Sequence, residues 1–294
     1  MRHRWVFAWV VVLSVTAQAQ WLNFATPGVP RTPDGKPNLA APTPRTAEGK
    51  PDLSGVWMHE TTTIEEMRRL FGAAIDAEIK TSVPGMELDT VHKYAINLLA
   101  DFKPNELPMT PEGGKLFLRN LTQRDATRVC AEPPPFPLAG LLSEPIKIVQ
   151  APRLTIVLYE AGNMYRQIYN DGRTLPKEVN FPAFLGYSAG RWESDTFVVE
   201  TAGFNDKVPL DILGHAHSED LRVTERFRRI DFGHLNMEVT FTDPKMYTKP
   251  ITIKVGHTLL ADADIFESFC ENERDRVHLE NAKPKPQPQP QPQP

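Results

Sequence analysis

After residue 20 the chain has no apolar run long enough to cross a bilayer as a helix, which takes ~20 consecutive residues. Cysteine is almost missing, with only Cys130 and Cys270 and no CxxC pair, so zinc–thiolate chemistry is not expected. Nor is there an excess of positive charge. The chain has 33 basic and 37 acidic residues, and losing Arg2 and Arg4 with a leader leaves 31 against 37, a net −6. A phosphate backbone needs a basic face, so nucleic acid is not an expected partner. No Walker loop and no GxGxxG ahead of a helix occurs, so no cofactor is expected.

What is present begins with a leader. MRHRW is a short basic start, VFAWVVVLSV an apolar run, and Ala17-Gln18-Ala19 a small-x-small cleavage site. Residues 1–19 therefore read as a secretory signal peptide cleaved after Ala19, placing the mature protein in the periplasm or outside the cell with no membrane span. In such an oxidising compartment Cys130 and Cys270 read as a disulfide, with two separate buried thiols as the alternative. The bridge closes a loop of about 140 residues, for which loop-closure entropy suggests roughly 4–5 kcal/mol.

The 28 prolines gather at the two ends and near 133–137. Within 20–53, PRTPDGKPNL (30–39) returns as PRTAEGKPDL (44–53). Two copies are too few for a solenoid. Pro-Asp-Gly and Ala-Glu-Gly ahead of Lys-Pro are turn chemistry, and the segment reads as an extended arm that drapes over the domain. Residues 282–294, AKPKPQPQPQPQP, form a low-complexity polyproline spacer, and contact with the cell envelope through these proline-rich ends is one expected partner interaction.

Residues 54–129 open with a short strand candidate, SGVWMHE, and then turn helical. Thr62 to Glu66 offers a capping box, and Ile64, Met67, Leu70, Phe71, Ala74, Ile75 and Ile79 keep helical spacing. Val91, Tyr94, Ala95, Leu98, Leu99 and Phe102 mark a second helix, and Thr110-Pro111 starts a third, weakened by Gly113-Gly114. Over 130–281 the period changes to two. Strands are expected at 145–151, 153–161, 164–170, 190–192, 195–202, 221–230, 235–242, 251–260 and 264–271. The fold class is therefore mainly β: an antiparallel barrel or strongly curved sheet, lipocalin-like, with an inserted helical segment. A barrel of about eight strands can hold one small ligand.

Gly55-x-Trp57 ahead of antiparallel hairpins resembles the lipocalin/calycin pattern. A longer set of motifs, PRTAEGKPDLSGVW, PIKIVQAP, RQIYNDGRTLP, GYSAGRWESDTFVVETAGFND, GHAHSEDLRVTERFRR and DPKMYTKP, resembles a widespread family of exported bacterial proteins. That resemblance implies export and a β-rich fold, and it carries no catalytic residues across.

Strand parity singles out candidate side chains, because alternate residues share a face. Glu225 falls among Leu221, Val223 and Phe227; His257 falls among Ile251, Ile253, Val255 and Leu259; Arg166 sits between Met164 and Ile168. Unpaired, such groups are costly to bury. They form either a structural Glu–Arg pair with a core histidine or the lining of a ligand cavity. On the other face of 164–170 lie Tyr165, Gln167 and Tyr169. The segment GFNDKVPLDILGHAHSED (203–220) is long for a hairpin loop and rich in polar groups. Asn205, Asp206, His215, His217 and Glu225 are expected around one pocket at the barrel mouth. There His217, then His215, would transfer protons, oriented by Asp206, Asp211 or Glu225. Asn205, Arg166, Tyr169 and His257 would contact ligand. The competing reading is a polar loop whose histidines hydrogen-bond turns, and metal binding by His215 and His217 is not expected. GYSAG fits G-x-S-x-G by letters, but it leads into a hairpin rather than a helix, which argues against a Ser188 nucleophile.

Two functional classes follow: a binder of a small, partly apolar molecule held inside the barrel, or a cofactor-independent acid–base isomerase, lyase or hydrolase around His215 and His217.

Overall fold

The period-two segments of the sequence close into a nine-stranded barrel. The computed structural model describes residues 25–72, 91–122, 138–142 and 144–267. Its strands are β1 (Gly55–His59), β2 (Ile146–Ala151), β3 (Leu154–Tyr159), β4 (Met164–Tyr169), β5 (Tyr187–Glu193), β6 (Thr196–Ala202), β7 (Arg222–Arg229), β8 (His234–Thr242) and β9 (Ile251–Leu259). Each pairs with the next in chain order, and β1 closes the circle by pairing with both β2 and β9. All pairs are antiparallel except one. β4 and β5 run parallel and touch at only two positions, Ile168↔Ser188 and Tyr169↔Ala189. Parallel neighbours need a crossover rather than a tight turn, and the connection 170–186 supplies it by running back along the barrel.

Parity is clearest on the last three strands, whereas β1 and β6 carry adjacent buried residues. β7, β8 and β9 alternate buried and open positions along their whole length. The inward residues are large: Trp57, Phe197, Phe227 and Phe241 sit beside Ile168, Val199, Val239 and Ile253, all buried. Gly190 stands where the Phe197 ring takes the place a β-carbon would occupy. Between Leu53, Ile148, Thr155, Val157, Ile168, Phe197 and Phe227 no room is left for a water molecule. Large aromatics make that part of the barrel a packed core rather than a ligand cavity.

The two barrel ends are covered differently. The arm seals the end where the β5–β6 and β7–β8 hairpins turn. Its repeat forms the same clip twice: Thr32 N donates to Lys36 O (2.9 Å) as Thr46 N does to Lys50 O (2.8 Å), with Gly35 and Gly49 in left-handed turns. Each clip projects one arginine onto a rim carboxylate, Arg31 onto Asp262 (2.7 Å) and Arg45 onto Asp195 (2.8 Å). Between and after the clips, Phe232 N and Gly233 N donate to Ala41 O and Leu39 O, and Arg229 donates to Asp52 O.

The other end carries the helices. In α1 (Ile64–Phe71), Thr63 caps the N-terminus by accepting from Glu66 N, and Gly72 closes it. The helix expected over 91–102 is only one turn, α2 (Lys93–Ile96). It stops because Leu99 N turns to Asn97 Oδ1 and Leu98 N to Asp211 Oδ2, side-chain acceptors that compete with the helical carbonyls. The third helix, α3 (Pro111–Thr122), forms despite its glycines. Gly113 packs against the Met246 carbonyl, where any side chain would collide.

The strand expected over 264–271 is absent from 264–267; Asp264 instead pairs with Lys147, and Phe266 N donates to Glu160. Cys130, Cys270, the leader, the proline–glutamine tail and the second half of the first expected helix lie outside the described residues.

Candidate functional site

The structure divides the candidate residues among three places. The first is the long loop 203–220, folded between the barrel end and the helices. Asp211 is its hub. One carboxylate oxygen accepts from Gly214 N (2.9 Å) and His215 N (3.1 Å), the other from Leu98 N (2.6 Å) and His215 Nδ1 (2.5 Å). The His215 ring stacks on Phe117 of α3 at 4.3 Å and is buried, as is Asp211. Of the three carboxylates weighed as orienting partners, Asp211 is the one in contact.

His217 is held by two backbone carbonyls, Val208 O at 2.9 Å and Ser218 O at 3.2 Å. Burial lowers its pKa, with the two carbonyls opposing the shift. A neutral imidazole has one N–H, so it satisfies one carbonyl at a time. Asn205 folds onto its own turn, accepting from Lys207 N, while its backbone N–H donates to Ala183 O. Asp206 is exposed on the same loop.

The second place is the β4–β5 seam. Arg166 and Glu225 form a two-pronged ion pair, Nη1 to Oε1 at 3.2 Å and Nη2 to Oε2 at 2.7 Å, each side chain only 2 % exposed. Tyr159 adjoins them, its hydroxyl pushed up to about 12 by burial, with Arg166 opposing. Outside this pair, where β4 and β5 part, lies a cleft of about 490 Å³. Tyr165, Arg166, Gln167 and Tyr169 of β4 form one wall, the crossover residues 173–176 a second, and residues 185–189 a third. Arg173 lies 3.7 Å over the Tyr169 ring and is steadied by Asp171. Of the lining aromatics Tyr165 and Tyr187 are exposed, and Tyr187 Oη donates to the carbonyl of Phe181, itself 80 % exposed, at 2.7 Å. Ser188 hydrogen-bonds Thr201 at 2.9 Å from within a strand, as the hairpin reading of GYSAG expects.

The third place is a histidine cluster beneath the helices. His257 on β9 is paired across from His59 on β1, and the His59 ring meets His92 edge-on at 5.7 Å. All three are buried. His59 contacts Leu142 O and Glu60 O. Neither nitrogen of His257 has a partner at hydrogen-bonding geometry, although the Val255 and Leu235 backbones lie near. Burial pushes both His92 and His257 down to about 3, helped by neighbouring His59. Among the described residues, no group of three or more His, Cys, Asp or Glu is arranged to hold a metal ion.

Of the proposed ligand contacts, Arg166 and Tyr169 line the cleft, with Glu225 behind them. Asn205, Asp206, His215, His217 and His257 do not line it. Tyr165, Arg173 and Tyr187 also line the cleft, and strand parity does not mark them as ligand contacts. The outward face of 164–170 was legible by parity, but the crossover that meets it was not. His59 was legible too, sharing the inward face with Trp57, whereas nothing in the pattern marked His92. No protein-family model, no curated protein and no solved structure matches the chain.

Proposed function

We propose that the protein, exported by its leader, binds a small, partly apolar molecule in the cleft at the β4–β5 seam rather than inside the barrel. The observation that carries this reading is the cleft itself: about 490 Å³, within the ~300–1,000 Å³ range of small-molecule sites. Its walls offer rings from Tyr165 and Tyr187, aliphatic surface from Leu175, Pro176 and Leu185, and polar anchors in Gln167 and in Arg173, which lies over the Tyr169 ring. A planar or amphiphilic ligand fits that mixture, because rings on both sides supply stacking while the guanidinium fixes orientation.

A fluorescent naphthalene sulfonate serves as probe. Tyr187→Ala and Tyr165→Ala are each expected to weaken its binding by roughly tenfold, the equivalent of ~1.4 kcal/mol. Equal affinity in both variants and the parent protein would remove the cleft as the site. Mass spectrometry of natively purified protein then identifies any retained molecule.

The acid–base reading is favoured by one contact, the 2.5 Å Asp211–His215 pair. It shifts the candidate proton-transfer group from His217 to His215, which a carboxylate orients. That pair does not line the cleft, so the binding reading is preferred.

A further inference from the structure

The charged groups at the β4–β5 seam are sorted by sign. Arg166 and Arg173 line the cleft, while none of its lining residues is Asp, Glu or His. Glu225 and Asp171, the carboxylates that hold those arginines, do not line it. Each ion pair is close to neutral as a whole. The sign a ligand meets is therefore set by which partner lines the wall, and at both pairs that partner is the cation.

Local sequence places Arg173 there. Asn170-Asp171-Gly172 follows β4 with turn chemistry, and Gly172 sits in the left-handed region at φ +90°. Asp171 Oδ1 accepts from Arg173 N at 3.2 Å, which tightens the turn. The guanidinium comes back over the strand it has just left, 3.7 Å over the Tyr169 ring. Asp171 takes its Nε–Nη2 edge, Nε at 2.9 Å and Nη2 at 2.7 Å. Neither bond uses Nη1. A guanidinium fixed on one face and one edge loses little rotamer freedom when a ligand arrives, and its Nη1 end remains a donor.

Gln167 shares the outward face of β4 with Tyr169. Tyr169 Oη donates to Gln167 Oε1 at 3.3 Å, so the amide oxygen is engaged and its NH2 group is left as a donor. The polar anchors of the cleft are thus N–H groups, set beside the rings of Tyr165 and Tyr187 and the aliphatic side chain of Leu185. A matching ligand brings acceptors on a flat apolar body. A carboxylate meets a guanidinium best, because its paired oxygens fit the planar fork and the hydrogen bonds are charge-assisted. An ammonium group would meet like charge at the same wall.

We propose that the β4–β5 cleft selects an aromatic carboxylic acid, with its ring against Tyr165 and Tyr187 and its carboxylate on Arg173 Nη1 and the Gln167 amide. This rests on the binding reading above and narrows it to one class of ligand.

Calorimetric titration of the full mature chain at pH 7 with naphthoate and with naphthamide tests it. The two compounds share a ring system and nearly a shape, and differ in charge. Naphthoate is expected to bind roughly tenfold more tightly, a modest ratio because the Arg173 side chain is 51 % exposed and water screens it. In Arg173→Gln the ratio is expected to fall to about one. Equal affinities in the parent protein overturn the proposal and leave the binding reading standing. A ratio that persists in Arg173→Gln overturns it as well, since another group then holds the acid. If neither compound binds the parent, the binding reading fails and the proposal fails with it. The comparison in the parent protein decides without any substitution, so the outcome does not depend on how the variant folds.

Discussion

Glu225→Ala is expected to destabilise the fold by about 3–5 kcal/mol, because it leaves the Arg166 guanidinium buried without its carboxylate. Both side chains are 2 % exposed, so water cannot replace the lost partner cheaply. Removing both charges should behave differently. Arg166→Met with Glu225→Leu exchanges a desolvated ion pair for apolar volume, a change that is often neutral or stabilising. Urea denaturation of the two single variants and the double variant completes the cycle. A Glu225→Ala protein within ~1 kcal/mol of the parent would mean that the pair is hydrated in solution.

Mild acid should weaken the helix-capped end of the barrel before it weakens anything else. His92 and His257 are both pushed down to about 3, chiefly by burial, from an ordinary value of 6.5. A folded-state value below the unfolded one means that the unfolded chain takes up protons first. The stability these histidines contribute is therefore complete above pH 6.5 and drains away as pH falls toward 3. Between pH 6.5 and 5 the loss is roughly 2 kcal/mol for each histidine, at 1.36 kcal/mol per pH unit. The groups facing them are His59, Lys93 and Asp101, and of these only Asp101 pulls the His92 value back up. Depressed carboxylates such as Asp262 and Asp195 take over only at lower pH, since they start from 3.8. Denaturation at pH 7 and pH 5 should show the drop, and His257→Leu should roughly halve it. An unchanged midpoint at pH 5 in the parent protein would show that the histidines reach solvent without unfolding.

Period-two alternation was enough to place eight of the nine strands within about two residues, because inward and outward positions differ so sharply in apolar content. The remaining strand, β5, was expected only at 190–192, because Tyr187-Ser188-Ala189 has little alternation to reveal. Its parallel pairing was not legible either, since periodicity reports which way a side chain faces and not which neighbour the backbone meets. The helical stretch at 91–102 misled for a related reason. Its apolar residues keep helical spacing, yet Asn97 and Asp211 claim the amides that would have continued the helix. Asp211 is 113 residues away from Leu98, and no local pattern can report such a competitor.

The site was legible only in part. Parity identified Arg166, Glu225 and His257 as inward charges or imidazoles and Tyr169 as outward, and each faces as expected. It could not show that Glu225 is spent on Arg166, nor that the cleft opens where two strands diverge. The emphasis on loop 203–220 came from its density of polar side chains. Much of that polarity serves the loop itself: Asp211 accepts three hydrogen bonds from Gly214 and His215 of the same loop and a fourth from Leu98, and Asp243 receives the Ser218 amide and hydroxyl.

The duplicated clip has a consequence for the order of events in folding. Arg45 waits for an acceptor 150 residues ahead of it, Thr43 for one 187 residues ahead, and Arg31 for one 231 residues ahead. Contacts so distant in sequence cannot form until the loop between them is closed, and they come late on any pathway. The arm, synthesised before the barrel, is therefore the last piece to be seated. Until the rim bearing Asp195 and Asp262 exists, each arginine holds only the glycine carbonyl of its own clip, Arg31 that of Gly35 and Arg45 that of Gly49. An emerging chain of this design stays open at one end, and its completion is signalled by the fastening of a strap at two points.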